Sequence, residues 1–187
     1  MKRHNLAFID LETTGLDPEK HEIIELACLL AKQIPNPGKG PKLELIEEFE
    51  FKIKPKHLET AEQIALNKNG YNDADWLFAA DLEQALKTLS DKAVGASMVA
   101  HNVTFDWNFL NKAFSTTGIP NKMHYHRIDT MSMAFTKLYH DDRVQAFSLG
   151  ALADFFGLKN DRAHTALADI RTTFELYKKL LAIWQNT

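Results

Sequence analysis

The sequence predicts an α/β fold: a mixed sheet flanked by helices, with elements in the order βββαβαβα and one small helix interposed before the last. Three observations carry this. Apolar stretches of strand character, divided by breaker-rich segments, occupy the chain up to Pro55. Beyond Thr60 the apolar spacing lengthens to the three- and four-residue steps of helices. Short apolar strands then alternate with those helical stretches, as they do in crossover-connected sheets.

The first strand is Leu6 to Leu11, closed by the turn-like TTGLDP. EIIELACLLAK, Glu22 to Lys32, is the second, and IPNPGKGP, Ile34 to Pro41, separates it from the third, Leu43 to Pro55. Short connections make these three an antiparallel meander. TAEQIALNK (Thr60 to Lys68) and DLEQALKTLSDKA (Asp81 to Ala93) read as helices, the second with Leu82, Ala85, Leu86 and Leu89 on one face. SMVAHNV, Ser97 to Val103, is a fourth strand running into the helical TFDWNFLNKAF, and HRIDT, His126 to Thr130, is a fifth. SLGALADFFGL, Ser148 to Leu158, is a short helix with Ser148 as N-cap and Gly157 near its end. In the last stretch Leu167, Ile170, Phe174, Tyr177, Leu181 and Trp184 recur on one helical face. With no internal repeat and no long linker, residues 1–187 are expected to form a single domain.

Composition sets the outer limits. The chain has 187 residues, 45% of them hydrophobic, enough for a full core. A net charge of −3 does not advertise a nucleic-acid binder, yet a bound divalent ion can supply positive charge locally. Cys28 is the only cysteine, so no intrachain disulfide forms, and a reducing cytoplasm is the expected compartment. No apolar run approaches the roughly 18 residues of a membrane helix, and the acids that follow MKRHN are wrong for a signal peptide. A soluble, cytoplasmic protein with no membrane partner is expected.

The chemistry begins at FIDLETTGL. Residues i and i+2 share a face of a strand, so Asp10 and Glu12 place two carboxylates side by side at the end of an apolar strand. Such a pair repels and calls for a cation or open water. Asp106, in HNVTFD, lies just past the fourth strand, and Asp169, in HTALAD, heads the last helix. Should the first and fourth strands lie parallel and adjacent, Asp10, Glu12 and Asp106 converge beyond their carboxyl ends, where Asp169 joins them from the last helix. Four carboxylates in one cleft suit Mg²⁺ or Mn²⁺, in a two-metal arrangement that activates a water and stabilises a leaving oxygen. His164 supplies a proton acceptor near neutral pH. Any one of these acids alone reads as an exposed side chain or a helix N-terminal acid.

DLETTGLD, HNVTFD and HTALAD, in this order, resemble the three motifs of the DEDDh 3′–5′ exonucleases, the group of the proofreading subunit epsilon, ribonuclease T and oligoribonuclease. The resemblance runs from about Leu6 to Lys179. It implies an RNase H-like fold, a five-stranded mixed sheet whose first three strands are antiparallel. It further implies two divalent ions, Mg²⁺ or Mn²⁺, held by Asp10, Glu12, Asp106 and Asp169, with His164 as general base, and release of 5′-mononucleotides from single-stranded DNA or RNA 3′ ends. On the same grounds Leu11, Thr13, Thr14, Gly15 and Leu16 match the segment that holds the terminal nucleotide, with Leu16 as a wedge against the last bases. Asn102 and Phe105 match the frame of the second motif, and LNKNG, Leu66 to Gly70, falls where relatives place a substrate-contacting helix end. His101 is expected to be a structural hydrogen bonder and the remaining histidines to lie at the surface. A DNA polymerase is an expected partner on the proofreading branch and absent on the oligoribonuclease branch; monomer and homodimer are both compatible with the motifs.

Overall fold

The computed structural model describes residues 4–36, 40–158 and 165–183. Strands β1 (Leu6–Thr13), β2 (Ile23–Ile34), β3 (Lys42–Lys52), β4 (Ser97–Ala100) and β5 (His124–Asp129) form one five-stranded sheet in the order β3-β2-β1-β4-β5. β2 runs antiparallel to both β1 and β3, while β4 is parallel to β1 and β5 parallel to β4. The sheet is therefore mixed and RNase H-like, with an antiparallel meander leading into parallel strands.

β1 is central because both of its faces are apolar. Ala7, Ile9 and Leu11 point to a core shared with α2 (Leu82–Lys92) and α3 (Val103–Thr117), through Leu86, Leu89, Phe109 and Leu110. Leu6 and Phe8 point the other way, against Ile170 and Tyr177 of α6 (Ala166–Ile183). Phe8 meets the rings of Phe174 and Tyr177 edge-on, at centroid distances of 5.2 and 5.4 Å. Each fully buried side chain of this kind contributes roughly 1.5–3 kcal/mol by leaving water. A third cluster joins α6 to α4 (Thr130–Leu138) and α5 (Leu149–Phe156) through Leu138, Leu152, Leu176 and Leu180.

Three boundaries differ from the sequence expectation. The fourth strand stops at Ala100, and Val103 is already the first residue of α3, because Asn102 adopts a left-handed backbone (φ 67°) that breaks the strand. The first helical stretch divides into a 3₁₀ turn at Leu58–Thr60 and α1 (Gln63–Asn69). α4 was not anticipated as a helix: it follows β5 with no intervening turn, Asp129 ending the strand and capping the helix by accepting from the backbone N–H groups of Met131 and Ser132. The caps expected for α5 are present, with Ser148 accepting from Ala151 N–H and Gly157 left-handed at φ 62°. Among the described residues no helix is long and apolar enough to cross a membrane.

Candidate active site

The site forms where β1 outruns its neighbour. The β1–β4 register ends at Phe8 and Val99, so the end of β1 loses its parallel partner. Asp106, in the first turn of α3, fills the gap: its Oδ1 accepts the N–H of Leu11 at 3.1 Å. Asp106 is only 3% exposed, and burial drives its carboxyl well above the ordinary carboxylate range despite that hydrogen bond. A chain bend that stops β4 thus brings the second motif to the first.

Asp10 and Glu12 continue the Leu6 and Phe8 series, so both carboxylates face α6. Asp169 comes from the first turn of that helix, and one carboxylate oxygen each from Asp10, Glu12 and Asp169 lies within 4.8 Å of the others. Burial, then the charges of Asp106, Asp169 and Glu12, push Asp10 well above its usual value. Burial and Asp169 raise Glu12 to about 7. Oxygen-only donors crowded until they resist ionisation are the donor set a hard divalent cation needs, so the residues present fit such an ion.

The acids line the floor of a cavity of about 560 Å³. One wall is the turn after β1, with Thr13, Gly15 and Leu16. The turn is tied to α1: Asn69 Nδ2 donates to Thr13 O at 2.8 Å, and Glu62 N–H to Thr14 O at 2.8 Å. α1 adds Ile64, Ala65, Lys68 and Asn69 to the lining, and Lys68 is the one lysine or arginine among the described lining residues. Leu16 and Ile64 are 75% and 83% exposed, two large apolar side chains held in water beside the acids. Leu11, Asn102 and Phe105 line the cavity. Thr14 does not: it is wholly buried, and its Oγ1 accepts the N–H of Glu22 at 2.9 Å. Thr13 Oγ1 is likewise turned inward, donating to Gly15 O at 2.7 Å.

Asp129 and His101 hold the far wall. Asp129 Oδ1 accepts from Asn102 N–H at 2.9 Å and Val103 N–H at 3.3 Å, which stabilises the left-handed turn that starts α3. Burial works against the ionised Asp129, but the hydrogen bonds from Ser132, Asn102 and Val103 outweigh it and hold its carboxyl below the ordinary value. His101 bridges Thr130 Oγ1 and Phe147 O, each at 2.9 Å, the structural role expected of it. Burial favours its neutral form, in which Nε2–H donates to Phe147 O.

With this arrangement in place, similarity to known proteins is specific. The profile of the exonuclease family (RNase_T) matches residues 7–177, most of the chain and all three acid-bearing segments. The chain belongs to this DEDD-type exonuclease family. Over 167 residues it is 32% identical to a protein of Streptococcus suis named DNA polymerase III PolC-type, covering 89% of this chain but 10% of that protein. It is 28% identical over 188 residues to ribonuclease T of Buchnera aphidicola, covering 95% of this chain and 84% of that one. Of solved structures, cell-death related nuclease 4 superposes with a TM-score of 0.76 over 96% of this chain and 64% of that one, at 16% identity. Exonuclease I of E. coli in complex with a dT13 oligonucleotide does so with 0.74 over 95% of this chain and 41% of that one, at 18% identity. At such identities the structures attest the fold, and the PolC-type proteins are matched over about a tenth of their length.

Two site residues are faint in the sequence. Asp129 ends a strand segment, and its signature is that of an N-cap, an acid two and three residues before the N–H groups it accepts from. Ile64 is one apolar residue of a helical pattern; only its exposure singles it out. His21, expected at the surface, is buried: its side chain is 6% exposed, packed beneath Gly15, and its Nδ1 accepts from Asp17 N–H at 3.0 Å. His164 and Trp184 lie outside the described residues.

Proposed function

We propose that this exonuclease-family chain, acting as a single domain over residues 1–187, hydrolyses phosphodiester bonds at the 3′ ends of single-stranded DNA or RNA and releases 5′-mononucleotides. The observation that carries the reading is the set of Asp10, Glu12 and Asp169 oxygens within 4.8 Å of one another, on the floor of a cleft rimmed by exposed Leu16 and Ile64. In this reading Asp10, Glu12, Asp106 and Asp169 hold two divalent ions, Mg²⁺ or Mn²⁺, which supply Lewis-acid polarisation of the attacking water and of the leaving oxygen. Leu16 and Ile64 flank the terminal bases through apolar contact that is indifferent to sequence. Lys68 offsets phosphate charge, and the backbone of Thr13 to Gly15 receives the 3′-terminal sugar. Asn102 and Phe105 border the strand from the side of α3. Leu11 acts through its N–H, which holds Asp106 in place. His164 takes the proton of the attacking water, so activity rises with pH through an imidazole value near 6.5. A flat profile from about pH 6 to 9 at saturating metal counts against that role.

The experiment is digestion of 5′-labelled DNA and RNA oligonucleotides of several lengths by wild type and Asp10→Ala, with the products identified. A ladder shortened from the 3′ end, 5′-mononucleotide products and no reaction by the variant are expected. Release from the 5′ end, or undiminished release by Asp10→Ala, sinks the reading. The PolC-type similarity favours a second setting for the same chemistry, proofreading beside a DNA polymerase. Stimulation of exonuclease activity by a co-purifying polymerase supports it, and full activity of the isolated chain on short RNA supports the stand-alone ribonuclease instead.

A further inference from the structure

Glu25 is an acid that the chemistry above does not use. It lies within the apolar run of β2, 7% exposed, directly across the ladder from Glu12. Paired residues of an antiparallel ladder share a face, so Glu25 projects toward α6 like Asp10 and Glu12. A fifth carboxylate beside four others is costly, and its charge falls on both Asp10 and Glu12, helping to hold each in the protonated form.

The return for that cost is a contact with the helix that carries Asp169. Glu25 Oε2 accepts the N–H of Ala166, the first residue of α6, at 3.1 Å. The first N–H groups of a helix have no partner within it and carry partial positive charge, so a carboxylate is the strongest acceptor they can meet. The carboxylate is steadied from behind: Lys52 Nζ is 4.0 Å from Oε1 and sits 3.8 Å above the ring of Trp76, whose Nε1–H donates to Ile24 O at 3.1 Å. Further along the helix start, Ala168 N–H meets Thr165 Oγ1 at 3.4 Å and Asp169 N–H meets Thr165 O at 3.0 Å. Ala166 N–H to Glu25 ties the first residue of the helix directly to the sheet. Asp169 lies three residues beyond Ala166, one turn along the same helical face.

We infer that Glu25 is a positioning residue: by fastening the N-terminus of α6 to β2 it sets where the carboxylate of Asp169 meets those of Asp10 and Glu12. This rests on reading the three acids as one metal site. Removing a bond whose only role is to support the fold lowers stability and leaves metal affinity alone; removing a positioning bond lowers metal affinity as well. The test compares wild type, Glu25→Ala and Glu25→Gln by Mn²⁺ titration calorimetry and by hydrogen exchange of the metal-free proteins. Glu25→Ala is expected to weaken Mn²⁺ binding about tenfold, in the range typical for partners that orient ligands. It should accelerate exchange at the start of α6, and lower kcat on an oligonucleotide with little change in KM. Glu25→Gln keeps an oxygen for Ala166 N–H and should recover most of the affinity and protection, which also covers the case of an alanine variant that does not fold. Wild-type Mn²⁺ affinity in Glu25→Ala, or a Glu25→Gln as weak as Glu25→Ala, overturns the inference while leaving the metal site standing. Wild-type protein that binds no Mn²⁺ overturns both.

Discussion

Asp10 and Glu12 reach the site from a strand; Asp106 and Asp169 reach it from helices on opposite faces of the sheet. The strand pair is rigid by construction. The Asp10 to Glu12 segment pairs with β2, and two-residue spacing alone puts both carboxylates on one face. The helix pair is held by apolar packing of α3 and α6 on the two faces of the sheet, and locally by Leu11 N–H to Asp106, Ala166 N–H to Glu25 and the Arg171–Glu48 ion pair. A cluster of like charges stays together only if something resists its repulsion. Here the strand resists through its ladder, and each helix through its apolar packing on the sheet together with these local hydrogen bonds.

The difference can be broken hardest at the strand. Asp10→Asn should reduce nucleotide release by on the order of a thousandfold or more, since it removes several kcal/mol of metal-mediated charge stabilisation. In EDTA the same variant should melt higher than wild type, because the fold no longer has to hold this carboxyl protonated against an unfolded chain that ionises it. A lower melting temperature in EDTA would show that the acids are not in mutual repulsion. At the helix the outcome should depend on what replaces the acid. Asp106→Ala leaves the buried N–H of Leu11 without an acceptor, a loss of about 1–3 kcal/mol, partly offset by the charge removed. Asp106→Asn keeps the acceptor and removes an acid whose ionisation the fold resists, so it should unfold in denaturant no earlier than wild type while being as inactive as the alanine variant.

The same division decides what the sequence reveals. The D-x-E pair is local, so its geometry follows from strand alternation, and the antiparallel meander follows from short breaker segments. Asp106 and Asp169 could be placed at one end of the sheet because helices begin there. What stayed hidden depends on contacts distant along the chain. Glu25 reads as part of an apolar strand, and its partner Ala166 is 141 residues away. α4 was hidden for a local reason: Asp129 both ends a strand and caps a helix, with no turn residue between them. Thr14 looks like its neighbours in TTGL, yet its hydroxyl is spent inside the fold on Glu22.

A gentler probe is pH. Glu12 is raised from an ordinary 4.5 to about 7 in the metal-free fold, so the folded state resists an ionisation that the unfolded chain accepts. Between about pH 4.5 and 7 the unfolded state releases its proton first, and stability should fall as pH rises, by about 3 kcal/mol from this group. Asp10 and Asp106, raised by the same burial, act in the same direction. Glu12→Gln should flatten the slope in urea titrations run in EDTA; an unchanged slope would place the effect elsewhere. The smallest effect is expected at the rim. Leu16→Ala should raise KM for an oligonucleotide several-fold, about 1 kcal/mol of lost apolar contact, with kcat and Mn²⁺ affinity intact. A fall in kcat instead would make Leu16 part of the turn's packing.

The central claim is that carboxylates from one strand and two helices form one site for a pair of ions. Electron paramagnetic resonance of the Mn²⁺-loaded protein tests it most directly, because two Mn²⁺ ions in one cluster couple their spins. The account predicts a spin-coupled pair in wild type that is lost in Asp10→Asn. Only isolated, uncoupled Mn²⁺ in wild type, or a coupled pair that survives Asp10→Asn, would contradict it.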